Sequence, residues 1–213
     1  MKLKAVSKEE QKHRKEVQRG KLAKRKGGQY EREIAKRFKE AYGVELKRTP
    51  QSGGFAKKSE KADDYRGDIT IVDTKFMLLL HIECKAHKIL SLKQWLKQSI
   101  SDCPEGRIPI VVFHRHGTSK DYVALYLSDW YNMLGYDTEP YYFNDDFSKS
   151  KYSKWNVFKW FDETEKMYSE KPLLILYEYG TEKNNASEYA VVTLEDFLKN
   201  VPKDKVIGKR VFK

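Results

Sequence analysis

Cysteine is scarce. Cys84 and Cys103 are the only two in 213 residues, too few for a disulfide framework or a cysteine-built zinc site, and they point to a reduced, intracellular setting. Long apolar runs are missing as well. Phe76–Leu80 is the longest without a tyrosine, a buried strand at most, where a membrane-spanning helix needs roughly 20 apolar residues. The N-terminus is charged where a secretory signal is apolar, so nothing there directs export and a cytoplasmic protein is expected. Histidine offers little towards a metal centre. His114 and His116 are two apart and share a face if they lie on a strand, but neither they nor His81 and His87 have a cysteine or carboxylate at zinc-ligand spacing.

Charge is abundant. Charged residues make up 34% of the chain and hydrophobic ones 39%, the balance of a polar globular protein with one core or one core plus a small appendage. The net charge of +11 is unevenly spread: residues 1–26 carry eleven Lys/Arg against Glu9, Glu10 and Glu16, and so hold +8 of it. A basic arm on a nearly neutral body suggests a polyanionic partner, because each phosphate neutralised releases condensed counterions. The plainer alternative is a solvated tail. With few apolar positions, residues 1–26 read as a fraying helix or disordered arm that ends at Gly27-Gly28.

Beyond the arm, Tyr30, Ile34, Phe38 and Ala41 recur at helical spacing and predict a helix over 29–42. Val44–Arg48 reads as a short strand and residues 49–54 as a loop. The alternation at Ile69 and Ile71, the turn formers Asp73-Thr74-Lys75 and the run Phe76–Glu83 together predict a hairpin. Ser91 can cap a helix that buries Leu92, Trp95, Leu96 and Ser99. Ile108–His114 and Tyr122–Leu127 read as strands, and Ser128 as the start of a short helix over 129–134. The order is that of an α/β fold with a mixed sheet and flanking helices. It divides into a basic arm (1–26), a core (27–135) and a C-terminal α/β extension (136–213). Part of the extension echoes the core. Pro109, Gly117, Tyr122, Leu127, Asp129 and Trp130 match Pro172, Gly180, Tyr189, Leu194, Asp196 and Phe197 at offsets of 63 and then 67, which suggests a partial repeat of 91–135.

Hydrolysis of a phosphodiester with a divalent ion needs converging carboxylates and a group to hold the attacking water. Asp68 opens one predicted strand and Glu83 lies late on the next. Glu83 and Lys85 are two apart, so on a strand they share a face. Glu83 can then hold metal while the Lys85 ammonium orients the nucleophile, and the Cys84 backbone carbonyl can ligate as well. Oxygen ligands favour Mg²⁺, which keeps several of its waters, with Mn²⁺ as substitute. A Glu-X-Lys is also a common surface ion pair worth roughly 0–1 kcal/mol. Here it stands at the end of the largely apolar stretch Met77–Ile82, where a charged group carries a desolvation cost. Asp63 and Asp64 are alternatives to Asp68 but adjoin no strand. Gln94 and Gln98 stand on the helix after Glu-X-Lys, where a polar residue can serve an active site, but a solvated helix face is the preferred reading, as core packing is for Trp95, Trp130, Trp155 and Trp160.

Four blocks occur in order: Lys26-Gly-Gly-Gln-Tyr-Glu31-Arg32-Glu33-Ile34, Lys47-Arg48-Thr-Pro-Gln-Ser52-Gly53, Gly67-Asp68-Ile69 and Ile82-Glu83-Cys84-Lys85. Over residues 26–134 the chain resembles the archaeal-type Holliday junction resolvases and related phage nucleases of the PD-(D/E)XK superfamily. The resemblance implies a restriction-endonuclease-like core and a Mg²⁺-dependent DNA endonuclease. By it, Glu31 is a helix carboxylate reaching metal directly or through water, whereas Glu33 lies about 200° around the helix. Arg48 and Ser52 fall to phosphate contacts, beside Lys21, Lys24, Arg25 and Lys26 of the arm. It also implies branched DNA as substrate, in recombination or phage DNA processing, and a homodimer. A general or flap-type nuclease and a non-cutting DNA-binding protein are the alternatives.

Overall fold

The long apolar spacing of the N-terminal region does form a helix, and a far longer one than its apolar residues require. In the computed structural model, which describes residues 8–50, 66–136, 174–178 and 187–210, α1 runs unbroken over Lys8–Tyr42. The expected break at Gly27-Gly28 does not occur. Gly28 is buried, and a Cβ there would lie 3.3 Å from Cζ and Nε of Arg48. The glycine therefore admits a guanidinium close to the helix. Ile34, Ala35, Phe38 and Tyr42 bury the C-terminal half of α1, and that burial offsets the roughly 1 kcal/mol that each helical glycine costs.

The remaining elements in chain order are β1 (Leu46–Arg48), β2 (Ile69–Ile71), β3 (Phe76–Leu78), β4 (Leu80–Lys85), α2 (Leu92–Asp102), β5 (Ile108–His114), β6 (Asp121–Tyr126), α3 (Leu127–Leu134), β7 (Leu174–Glu178), β8 (Ser187–Thr193), α4 (Leu194–Asn200), a 3₁₀ turn (Lys203–Lys205) and β9 (Ile207–Lys209). Among the described residues, five strands form a sheet in the order β4-β5-β6-β8-β7, and β1-β2 and β3-β9 form two smaller ones. Only β4 and β5 run parallel within the large sheet, joined through α2 as a parallel pair requires. This is a mixed sheet with flanking helices.

Strand alternation sorts the core into two layers. Ile82, Ile110, Val112, Val123, Leu125, Ala190 and Val192 face α1, α3 and α4. Val111, Phe113, Tyr122, Ala124 and Val191 face the other way, onto Leu92, Trp95 and Leu96 of α2. The buried set of α2, with Ser99, is the one its periodicity predicts. α3 begins at Leu127, two residues before the expected start, straight out of β6. No helix among the described residues is long and apolar enough to cross a membrane.

The predicted hairpin is not a hairpin. Its turn forms, with Lys75 N–H donating to Asp73 Oδ1 at 2.9 Å. The flanking strands pair elsewhere: β2 runs antiparallel to β1, and β3 pairs with β9 near the C-terminus. Leu79 separates β3 from β4, its N–H donating to Val206 O. Each short strand thus has a partner distant in sequence, which no local pattern announces.

The C-terminal strands extend the same sheet. Val111 pairs with Ala124 as Leu174 pairs with Val191, and His114 with Asp121 as Tyr177 with Glu188. These are the offsets of 63 and 67 noted above. β6 and β8 pair antiparallel with Ala124 opposite Val191, so the two hairpins meet in a register symmetric about that pair. Each runs directly into a helix, α3 at Leu127 and α4 at Leu194.

Phe38 is fully buried and packs against Phe197, with ring centroids 6.1 Å apart, tying α1 to α4. Phe38→Ala should cost about 3–5 kcal/mol, read as a lowered urea midpoint at unchanged m. A loss below about 1 kcal/mol would show that α1 is not anchored through this ring.

Candidate active site

The C-terminal end of β4 carries the apolar run of the strand into a charged cleft. Leu80 and Ile82 are fully buried, and Glu83 follows at 8% exposure. Glu83 and Lys85 project from one face of the strand, and Lys85 Nζ donates to Glu83 Oε2 at 3.0 Å. Lys85 Nζ also donates to Gln98 Oε1 at 3.0 Å, so strand and helix α2 together hold the ammonium.

Asp68 reaches the same place by backbone attachment. Gly67 has φ +85°, and a Cβ there would lie 3.1 Å from Ile82 O. Glycine is required on both counts for the chain to pass against β4. Asp68 N–H then donates to Ile82 O at 2.8 Å, and Thr49 N–H donates to Asp68 O at 2.8 Å. The side chain closes the link, with Cys84 N–H donating to Asp68 Oδ2 at 2.8 Å. Asp68 is buried like Glu83. Burial first, and the nearby Asp68 charge second, push the Glu83 carboxyl above the usual carboxylate range, with Lys85 opposing both.

α1 supplies the third side. Glu31 faces the cleft and is ion-paired with Arg48 of β1, the guanidinium that Gly28 admits. One cleft of about 820 Å³ is lined by Lys26, Tyr30, Glu31, Asp68, Glu83, Cys84, Lys85, Gln98 and His116, among others. The residues singled out from the sequence therefore divide. Glu31, Asp68, Glu83, Cys84, Lys85 and Lys26 line this cleft, and Arg48 touches it through Glu31. Lys21, Lys24 and Arg25 are exposed on the N-terminal half of α1 and do not line it, and Glu33 is exposed on the same helix. Ser52, Asp63 and Asp64 lie outside the described residues, as do Trp155 and Trp160.

Three features were missed. Gln98 is not merely solvated, since its amide oxygen takes a hydrogen bond from Lys85. Its place on the helix that follows Glu-X-Lys was the available signal. Tyr30 lines the cleft and donates to Asp121 Oδ1 at 3.0 Å. His114 does have a carboxylate partner, with Nδ1 2.9 Å from that same oxygen, because the hairpin register sets the two residues opposite one another. Arg37 Nη1 donates to the other oxygen of Asp121 at 2.7 Å.

A hard divalent cation fits this donor set in chemistry. The paired carboxylates Asp68 and Glu83 carry a burial and like-charge cost that a cation relieves, and their oxygens suit it. The set is sparse: among the described residues no three His, Cys, Asp or Glu side chains stand together as a ready ligand cage. Glu31 is held by Arg48.

A mixed sheet with Glu-X-Lys at a strand end, and with an Asp and a helix Glu beside it around one cleft, has the pattern of the PD-(D/E)XK nucleases. The family comparison agrees over most of the chain. Residues 22–174 match the profile described as "Phage putative PDDEXK endonuclease", and the chain belongs to that family. No curated protein and no solved structure matches it.

His81, on β4 beneath Glu83, is wholly buried and neither ring nitrogen has a hydrogen-bond partner. Burial, and secondarily Arg107, push its pKa down to about 4. The folded protein keeps this ring neutral while the unfolded chain protonates it below about 6.5. Stability from this group is therefore complete above pH 6.5 and declines as pH falls towards 4, by on the order of 2–3 kcal/mol. Metal-free wild type should lose that much more than His81→Gln between pH 7 and 4 in urea titrations. Parallel pH profiles would refute the assignment.

Proposed function

We propose that this nuclease is a Mg²⁺-dependent DNA endonuclease, selective for branched DNA such as four-way junctions, and that it works inside the cell as a homodimer. The observation that carries the chemistry is the meeting of Asp68, Glu83 and Lys85 at the end of β4 with Glu31 of α1 beside them. Branched DNA is supported by the ordered motif set over residues 26–85, which is similar to that of junction resolvases. The homodimer follows from a substrate with two symmetric strands to cut. The matching hairpin registers support reading the C-terminal unit as a partial repeat without a site of its own.

Asp68 and Glu83, with the Cys84 carbonyl, would hold the ion, Mn²⁺ substituting for Mg²⁺, and Glu31 would reach it directly or through water. When bound, the ion supplies a Lewis acid for the phosphoryl oxygen and a more acidic water. Lys85, fixed between Glu83 and Gln98, donates to the attacking water and orients it in line with the scissile bond. As charge builds on the phosphate, the Lys85 ammonium compensates it in a cleft where the low dielectric strengthens the attraction. Arg48 and Lys26 hold phosphate oxygens at the cleft, and Ser52 belongs with them by its motif.

Asp68→Asn and Glu83→Gln should each abolish cleavage while DNA binding is kept or tightened, since negative charge facing phosphate is removed. Cleavage at the wild-type rate by either variant would overturn the site. The substrate is tested by incubating the protein with a four-way junction, a linear duplex and single strands, in Mg²⁺ or EDTA. Cutting confined to the junction and to Mg²⁺ is expected. Indiscriminate cutting would make this a general nuclease, and tight binding without cutting a DNA-binding protein on a nuclease scaffold.

A further inference from the structure

The turns of α1 before Ala23 line neither the core nor the cleft. Residues 9–26 are exposed throughout, yet they continue the same unbroken helix that carries Tyr30 and Glu31. An α-helix turns about 100° per residue, and this divides the cations of the arm by face. Lys26 lines the cleft. Lys12, Lys15 and Arg19 lie within about 40° of it around the axis, one above another. Leu22, exposed on the same face at 46%, sits between Arg19 and Lys26. Arg14, Lys21, Lys24 and Arg25 lie about 100–160° away, and Arg14 is already paired with Glu10 at 3.1 Å. Glu16 flanks the stripe about 80° from Lys26, on the side towards the body.

Like charges three and four residues apart, as in Lys12, Lys15 and Arg19, destabilise an isolated helix. A stripe of them ending at an acidic cleft makes sense against a polyanion that leaves the cleft along the helix. We propose that Lys12, Lys15, Arg19 and Lys26 form a track for the phosphates of one DNA arm, and that Arg14, Lys21 and Arg25 take no part. The track is about 21 Å long, enough to follow roughly six base pairs of duplex beyond the cut. This rests on the endonuclease reading above. It narrows the arm's function from diffuse attraction to one face, and it takes Lys21, Lys24 and Arg25 out of the contact set.

The test compares the full chain with K12Q/K15Q/R19Q and R14Q/K21Q/R25Q, which change net charge equally. Binding to a junction with long arms is measured by anisotropy in EDTA over a range of salt, with circular dichroism to show that the helix is kept. The track variant should lower the slope of log affinity against log salt by about 2–3 and weaken binding at least about tenfold near physiological salt. The far-face variant should leave the slope within about 0.5 and affinity within about twofold. Trimming the junction arms to about four base pairs should weaken wild type and leave the track variant nearly unchanged. Equal losses from the two triple variants would overturn the track and leave the endonuclease reading standing. Failure of wild type to bind any of the DNAs at low salt would overturn both.

Discussion

The attachment of Asp68 to β4 governs the site. Backbone hydrogen bonds to Ile82 and from Thr49, and a side-chain bond from the Cys84 N–H, fix this residue between two sheets. A segment that forms only a three-residue strand afterwards gains its placement from these links and from the glycine before it. Two carboxylates are thereby held near each other at the end of a buried strand, against their repulsion and their loss of water. Such an arrangement persists only when surrounding structure over-determines it. Here β5, parallel to β4 over six residue pairs, and α2 beneath it provide that frame.

α1 joins three regions that other elements keep separate. Its last turns lie on the core beside α4, its middle closes the cleft, and its first turns stand in solvent. Asp121 reinforces the join by accepting from Tyr30 and Arg37 of the helix and lying against His114 of the sheet. The helix carboxylate next to Tyr30 is thus positioned relative to the strand end by a half-buried acceptor at the start of β6.

What was legible in the sequence depended on how local its cause was. The buried stripe of α2 and the apolar runs of β5 and β6 are properties of a few adjacent residues, and they read correctly. Glu83 and Lys85 on one face of a strand follow from the same two-residue period. The pairing of β3 with β9 spans most of the chain and leaves no trace in either segment, so the turn at Asp73-Thr74-Lys75 wrongly suggested a hairpin. Gly27-Gly28 misled for a related reason: glycine marks a break where nothing else decides, but here a guanidinium from β1 occupies the space a side chain would take. Gln98 shows the same limit, since only the approach of α2 to β4 brings it to Lys85.

The position of the cleft along α1 has an electrostatic consequence. Ala23 to Glu31 border it, while the helix ends are at Lys8 and Tyr42, more than about three turns away in either direction. The field of aligned peptide dipoles is felt within the first and last turns and fades beyond them. Nor does α1 offer the unpaired N–H groups with which a helix start cradles an anion. Whatever draws a phosphate to this surface of α1 must come from side chains, and a substitution can therefore tune it residue by residue without disturbing the backbone.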